Sequence, residues 1–145
     1  MKTLTKLSAC LIIFLAAACT KMQEVVLINT PLTGTWKLNA TYMDPGNGSG
    51  TYRPVDNPGN NSITLKTNGA LEVSGLDDSE NFLLHFSQYK SFTIQDSVTL
   101  VFKEHANNNT QKFIYKIEGD QLSLIPAGPV MCIEGCGIRF KKAGQ

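Results

Sequence analysis

The chain has 145 residues, a formal charge of +1, 17% charged residues and 42% hydrophobic residues. That length is about one domain, and the apolar content is enough for a packed core, which excludes wholesale disorder. The near-neutral balance lacks the basic patch that displaces counterions, so no nucleic-acid partner is expected.

The first residues read as an address. Lys2 and Lys6 precede an uncharged run from Ala9 to Ala18. Such a run is about half the ~20 residues needed to cross a hydrocarbon core of ~30 Å, and it has the length of a signal-peptide h-region. It closes on Leu15-Ala16-Ala17-Ala18-Cys19. Small residues directly before a cysteine resemble the bacterial lipobox, where the thiol takes a diacylglyceryl group and the chain is cut just before it. By that resemblance 1–18 is a lipoprotein signal peptide, Cys19 the lipidation site and 19–31 a lipidated tether. An ordinary secretory signal with Cys19 incidental is the other reading. Cys10 precedes the apolar run and reads as an h-region residue. Cleavage removes Lys2 and Lys6, which moves the formal charge from +1 to −1. Stable anchoring takes two or more acyl chains, so the expected partner is the membrane. Thr20 is not the Asp that retains lipoproteins in the inner membrane of enteric bacteria. The resemblance therefore favours the outer membrane of a Gram-negative cell envelope.

Beyond the tether, in the domain 32–145, the apolar period is two. Trp36, Leu38, Ala40 and Tyr42 alternate with Lys37, Asn39, Thr41 and Met43, which predicts a half-buried strand with Tyr42 facing inward. The Gly/Pro-rich stretch from Asp44 to Asn61 predicts a long loop. Ile63 with Leu65 and Leu71 with Val73 predict two strands joined at Asn68-Gly69, a two-residue hairpin signal in which both residues tolerate positive φ. Phe82, Leu84 and Phe86 repeat the spacing, as do Phe92 with Ile94, and Val98, Leu100 and Phe102. Phe113, Tyr115 and Ile117, then Leu122 with Leu124, and last Ile138 with Phe140 complete nine candidate strands. Short strands with turn signals between them predict an all-β fold, and one buried face per strand fits an antiparallel meander. The expectation is an antiparallel up-and-down β-barrel of about eight strands, whose closure removes sheet edges.

Cys132 and Cys136 are the remaining cysteine pair. Exported proteins meet oxidising conditions, so a disulfide is expected, and closing so short a loop is worth about 2 kcal/mol. A zinc site would need two more soft ligands, and His85 and His105 are the only histidines. Asp44-Pro45-Gly46-Asn47-Gly48-Ser49-Gly50 is oxygen-rich, but calcium prefers several carboxylates and only Asp44 is charged; turn chemistry accounts for the composition. No metal and no cofactor are expected. No nucleophile elbow or His-Glu-x-x-His helix is present, and the acids Asp77, Asp78 and Glu80 read as a solvated loop. The chain is expected not to be an enzyme.

Gly34-Thr35-Trp36 resembles the Gly-x-Trp that opens the first strand of lipocalins, where the Trp closes the barrel floor and a basic residue of the last strand packs over it. The resemblance implies those structural roles for Gly34, Trp36 and Arg139. More closely, the chain from Leu32 to Lys142 is similar to small lipocalin-like lipoproteins of Gram-negative bacteria. It shares a Gly-x-Trp start, an Asp-Pro-Gly-x-Gly-x-Gly loop and a Cys-Ile-Glu-Gly-Cys segment before the last strand. The resemblance carries no established reaction. The expected function is a membrane-anchored, non-catalytic, monomeric barrel binding a small hydrophobic or amphipathic ligand; alternation turns an aromatic set inward, and of it Tyr42, Phe86, Phe102 and Tyr115 are candidate lining residues. The alternative is an interaction module that binds a protein or glycan through its loops.

Overall fold

Alternating apolar residues resolve into nine strands in a computed structural model that describes residues 31–78, 81 and 83–144. Residues 1–30, with Cys19 and the signal segment, lie outside the described residues. The strands are β1 (Gly34–Met43), β2 (Thr51–Pro54), β3 (Ser62–Leu65), β4 (Leu71–Ser74), β5 (Tyr89–Ile94), β6 (Thr99–Glu104), β7 (Thr110–Glu118), β8 (Gln121–Gly128) and β9 (Cys136–Lys142). Eight form one path in the order β4-β3-β1-β9-β8-β7-β6-β5, all neighbours antiparallel. The path nearly closes: Ala70 bridges Ser91, and the Phe92 N–H donates to the Gly69 carbonyl at 2.8 Å. The fold is therefore all-β and antiparallel, a nearly closed up-and-down barrel, as the alternation predicts.

The agreement in strand number hides two corrections. The long loop contains β2, whose Tyr52 pairs with Tyr42 across the second half of β1. Conversely, the segment carrying Leu84 and Phe86 is not a strand; Phe82 itself lies outside the described residues. Asp78 and Asn81 turn the chain there, with the Asn81 N–H on Asp78 and the Leu83 N–H on the Asn81 side chain at 3.2 Å. Leu83 and Phe86 are then buried three residues apart, a spacing incompatible with a strand's alternation. The chain between β4 and β5 crosses one end of the barrel and drives Phe86 inside it. A smaller correction concerns Asn68-Gly69. Only Gly69 takes positive φ, at 80°, and the Gly69 N–H donates to the Lys66 carbonyl. The connection is thus a three-residue loop ending in a left-handed glycine.

Aromatic rings occupy the barrel's centre. Phe86 lies 5.9 Å from Phe102, 5.7 Å from Phe113 and 5.8 Å from Phe140, each on a different strand. Leu32, Leu38, Ile63, Leu65, Leu100, Leu122, Leu124 and Ile138 belong to the same cluster.

The end opposite the Phe86 crossing is the floor. Trp36 is fully buried there, and its indole N–H donates to the Leu32 carbonyl at 2.7 Å. The cation above its ring is Lys142, at 4.9 Å from the centroid. Arg139, expected in that role, stands over Tyr52 at 3.6 Å on the barrel's outer face. Register explains the exchange: Trp36 pairs directly with Lys142, whereas Arg139 alternates to the face opposite Ile138 and Phe140. The Lys142 ammonium also donates to the Pro31 carbonyl at 2.7 Å, tying the entry segment across the floor.

Candidate functional site

The barrel's other end carries the candidate site. Here β5 begins at Tyr89, β6 ends at Glu104 and β7 begins at Thr110. Phe92 pairs with Phe102, both buried, and Tyr89 pairs with Glu104 one step nearer the rim. Cross-strand partners share a face, so Glu104 is directed to the inner side beside Tyr89. Gln111 pairs with Phe102 from β7 and is buried. Its amide behaves as a substitute backbone: the Nε2 donates to the Val130 and Lys112 carbonyls, and the Oε1 accepts the Val130 N–H at 3.0 Å. That latch holds the β8–β9 loop against the rim.

Together these groups enclose an open cleft of about 760 Å³, lined by Gln88, Tyr89, Glu104, Asn108, Gln111 and Val130 among others. Below it a narrow slot of about 50 Å³ descends between Tyr89, Phe113, Pro126 and Val130. Polar groups crown the rim and apolar ones form the bottom, the arrangement that orients an amphipathic molecule. Burial pushes the Tyr89 phenol up to about 12, and the nearby Glu104 charge adds to the effect. The phenol therefore stays a neutral hydroxyl across the physiological range.

The residues named from sequence fall elsewhere. Phe86 and Phe102 are core, 1% and 0% exposed, and touch the slot's walls without lining the cleft. Tyr115 packs against the core lower on β7, where its N–H donates to the Val98 carbonyl. Tyr42 is outside altogether. The β1–β9 register shifts between Leu38 and Ala40, and such a bulge reverses which face later residues present. Tyr42 then pairs with Gly137 and stacks 5.3 Å from Tyr52, in the outer group that holds Arg139. Tyr89 and Gln111 were not visible as site residues, because a rim position depends on strand ends. Glu104 had a signal: it follows Phe102 by two, so alternation alone turns it inward.

The glycine-rich loop is built around one carboxylate. Asp44 is buried, and its Oδ1 accepts the N–H groups of Gly46, Asn47 and Gly48 at 2.8–3.1 Å. Its Oδ2 accepts the Gly50 N–H at 3.0 Å and the Tyr42 hydroxyl at 3.3 Å. A Cβ on Gly50 would stand 2.6 Å from that hydroxyl, so only glycine fits. Ringed by five donors, the carboxylate is saturated by protein hydrogen bonds and the loop is turn chemistry. The Gly50 amide foremost, then those of Gly46 and Gly48 and the Tyr42 hydroxyl, hold the Asp44 carboxyl below its usual range against an opposing desolvation. A lowered folded-state pKa contributes stability that is full above the ordinary carboxylate value near ~4 and fades as pH falls through the folded value. Protection of the Gly46, Gly48 and Gly50 amides, taken relative to the unstructured-chain exchange rate at each pH, should therefore fall on acidification below about pH 4. In Asp44→Asn that protection should already be about tenfold lower at pH 7 and should not fall further in acid.

The β8–β9 loop is closed by the disulfide between Cys132 and Cys136, with the Cα atoms 5.7 Å apart. The loop leaves Val130 52%, Met131 64% and Ile133 fully exposed. Among the described residues no cluster of three or more His, Cys, Asp or Glu could hold a metal ion. No protein family, no curated protein and no solved structure matches the chain.

Proposed function

We propose that this protein is a non-catalytic, lipid-anchored barrel of the cell envelope that holds a small amphipathic molecule at its mouth. Cys19 attaches it to the membrane, and the outer membrane is the reading favoured by Thr20. The supporting observation is the two-level cleft: an amide- and carboxylate-lined rim over a slot walled by Tyr89, Phe113 and Pro126. The site differs from the barrel interior expected of a lipocalin-like binder, because aromatic rings fill the centre. Pro31, the last tether residue, is held by Lys142 at the floor, the end opposite the cleft.

Two measurements test this. Cys19→Ala should move the protein from the membrane to the soluble fraction; unchanged detergent partitioning would refute the anchor. Titration with hexyl glucoside should shift the backbone amides of Gln88, Tyr89, Gln111 and Val130. A second reading rests on the stapled loop, whose exposed Val130, Met131 and Ile133 would suit a protein partner with an apolar surface groove. Amide shifts confined to Met131–Ile133 would favour it over the cleft.

A further inference from the structure

We propose that the mouth cleft selects a ligand with a cationic head, a primary or quaternary ammonium, and that Glu104 is the residue that reads it. The inference rests on the cleft being the binding site. Nine residues line that cleft, and Glu104 is the one among them that carries a charge. Register with Tyr89 sets its carboxylate on the inner side of the rim, where it is half-buried. There it makes no ion pair and no side-chain hydrogen bond with another described residue. Lys90, on the same rim, does not line the cleft; its ammonium donates to the His105 carbonyl at 3.3 Å and, at 3.4 Å, to the side chain of Asn108, which does line it.

The Glu104 carboxylate has no counter-charge in the protein, and an entering ammonium would supply a charge-assisted hydrogen bond to it. An anionic head would meet repulsion with no basic group on the lining to relieve it. The slot below adds to the preference. The Tyr89 and Phe113 rings, 6.3 Å apart, offer aromatic faces and edges to an alkyl or N-methyl group. The slot's small volume calls for a short apolar part, not a long acyl chain.

The test is calorimetric titration of the unlipidated Cys19→Ala chain with hexylammonium, hexyl sulfate and hexyl glucoside, which share one tail and differ in head charge. Hexylammonium should bind at least about tenfold more tightly than hexyl sulfate, with the glucoside between them. Glu104→Gln should erase that order, and Lys103→Gln, on the outward face beside it, should leave it intact. Equal affinities, or an order that survives Glu104→Gln, would overturn the cationic reading while glucoside binding keeps the site. Failure of all three compounds to bind would overturn both.

Discussion

Replacing Trp36 with alanine should cost about 3–5 kcal/mol of folding stability, the range for emptying a large aromatic site. The ring is wholly buried, its N–H is bonded to the Leu32 carbonyl, and Leu32 is itself core. Truncation therefore removes a packed indole and strands a buried acceptor. That is a large share of the 5–15 kcal/mol that holds an average domain together. Trp36 is the only tryptophan, so the native emission should be blue-shifted and its red shift should report unfolding directly. Lys142→Ala should cost less, because a cation over an indole is worth about 0.5–2 kcal/mol. A double-mutant cycle should show coupling between Trp36 and Lys142 and none between Trp36 and Arg139, whose guanidinium lies over Tyr52. Native emission near that of free indole, or coupling with Arg139, would contradict the floor described here.

Phe86→Ala should be as costly, again about 3–5 kcal/mol, and it should also change binding. Phe86 is 1% exposed and stands within 6.1 Å of Tyr89 as well as near Phe102, Phe113 and Phe140. Two of those neighbours, Tyr89 and Phe113, wall the mouth slot. Removing the ring should leave an apolar void behind that wall and deepen the slot. Hexyl glucoside should then bind several-fold more tightly, even as the thermal midpoint falls. A loss of stability with unchanged affinity would show that the slot and the aromatic centre are separated.

The barrel was legible because one buried face per strand writes a period of two into the sequence. Trp36, Leu38, Leu100, Phe102, Leu122, Leu124, Ile138 and Phe140 all follow it and all are buried. Three features were not legible, each for a physical reason. The Phe82–Phe86 spacing looks like a strand because periodicity is blind to hydrogen bonding; Asp78 and Asn81 side chains capture the backbone instead. The bulge after Leu38 leaves no apolar mark of its own, yet it carries Tyr42 from the inner face to the outer one. Gln111 reads as an ordinary polar strand residue until the β8–β9 loop arrives to take its amide. The candidate site lies where these features meet, at strand ends and loop crossings. Alternation could locate the core, but the mouth needed the register.

A small molecule held at the mouth cleft is the property on which the proposed function stands or falls. Native mass spectrometry of the full-length protein, purified from its own host in mild detergent, would weigh such a ligand. The expected spectrum is the polypeptide with its lipid modification plus a non-covalent adduct of small-molecule mass, displaced by excess hexylammonium. A lipidated polypeptide with no adduct, or one that retains a second protein instead, would contradict it.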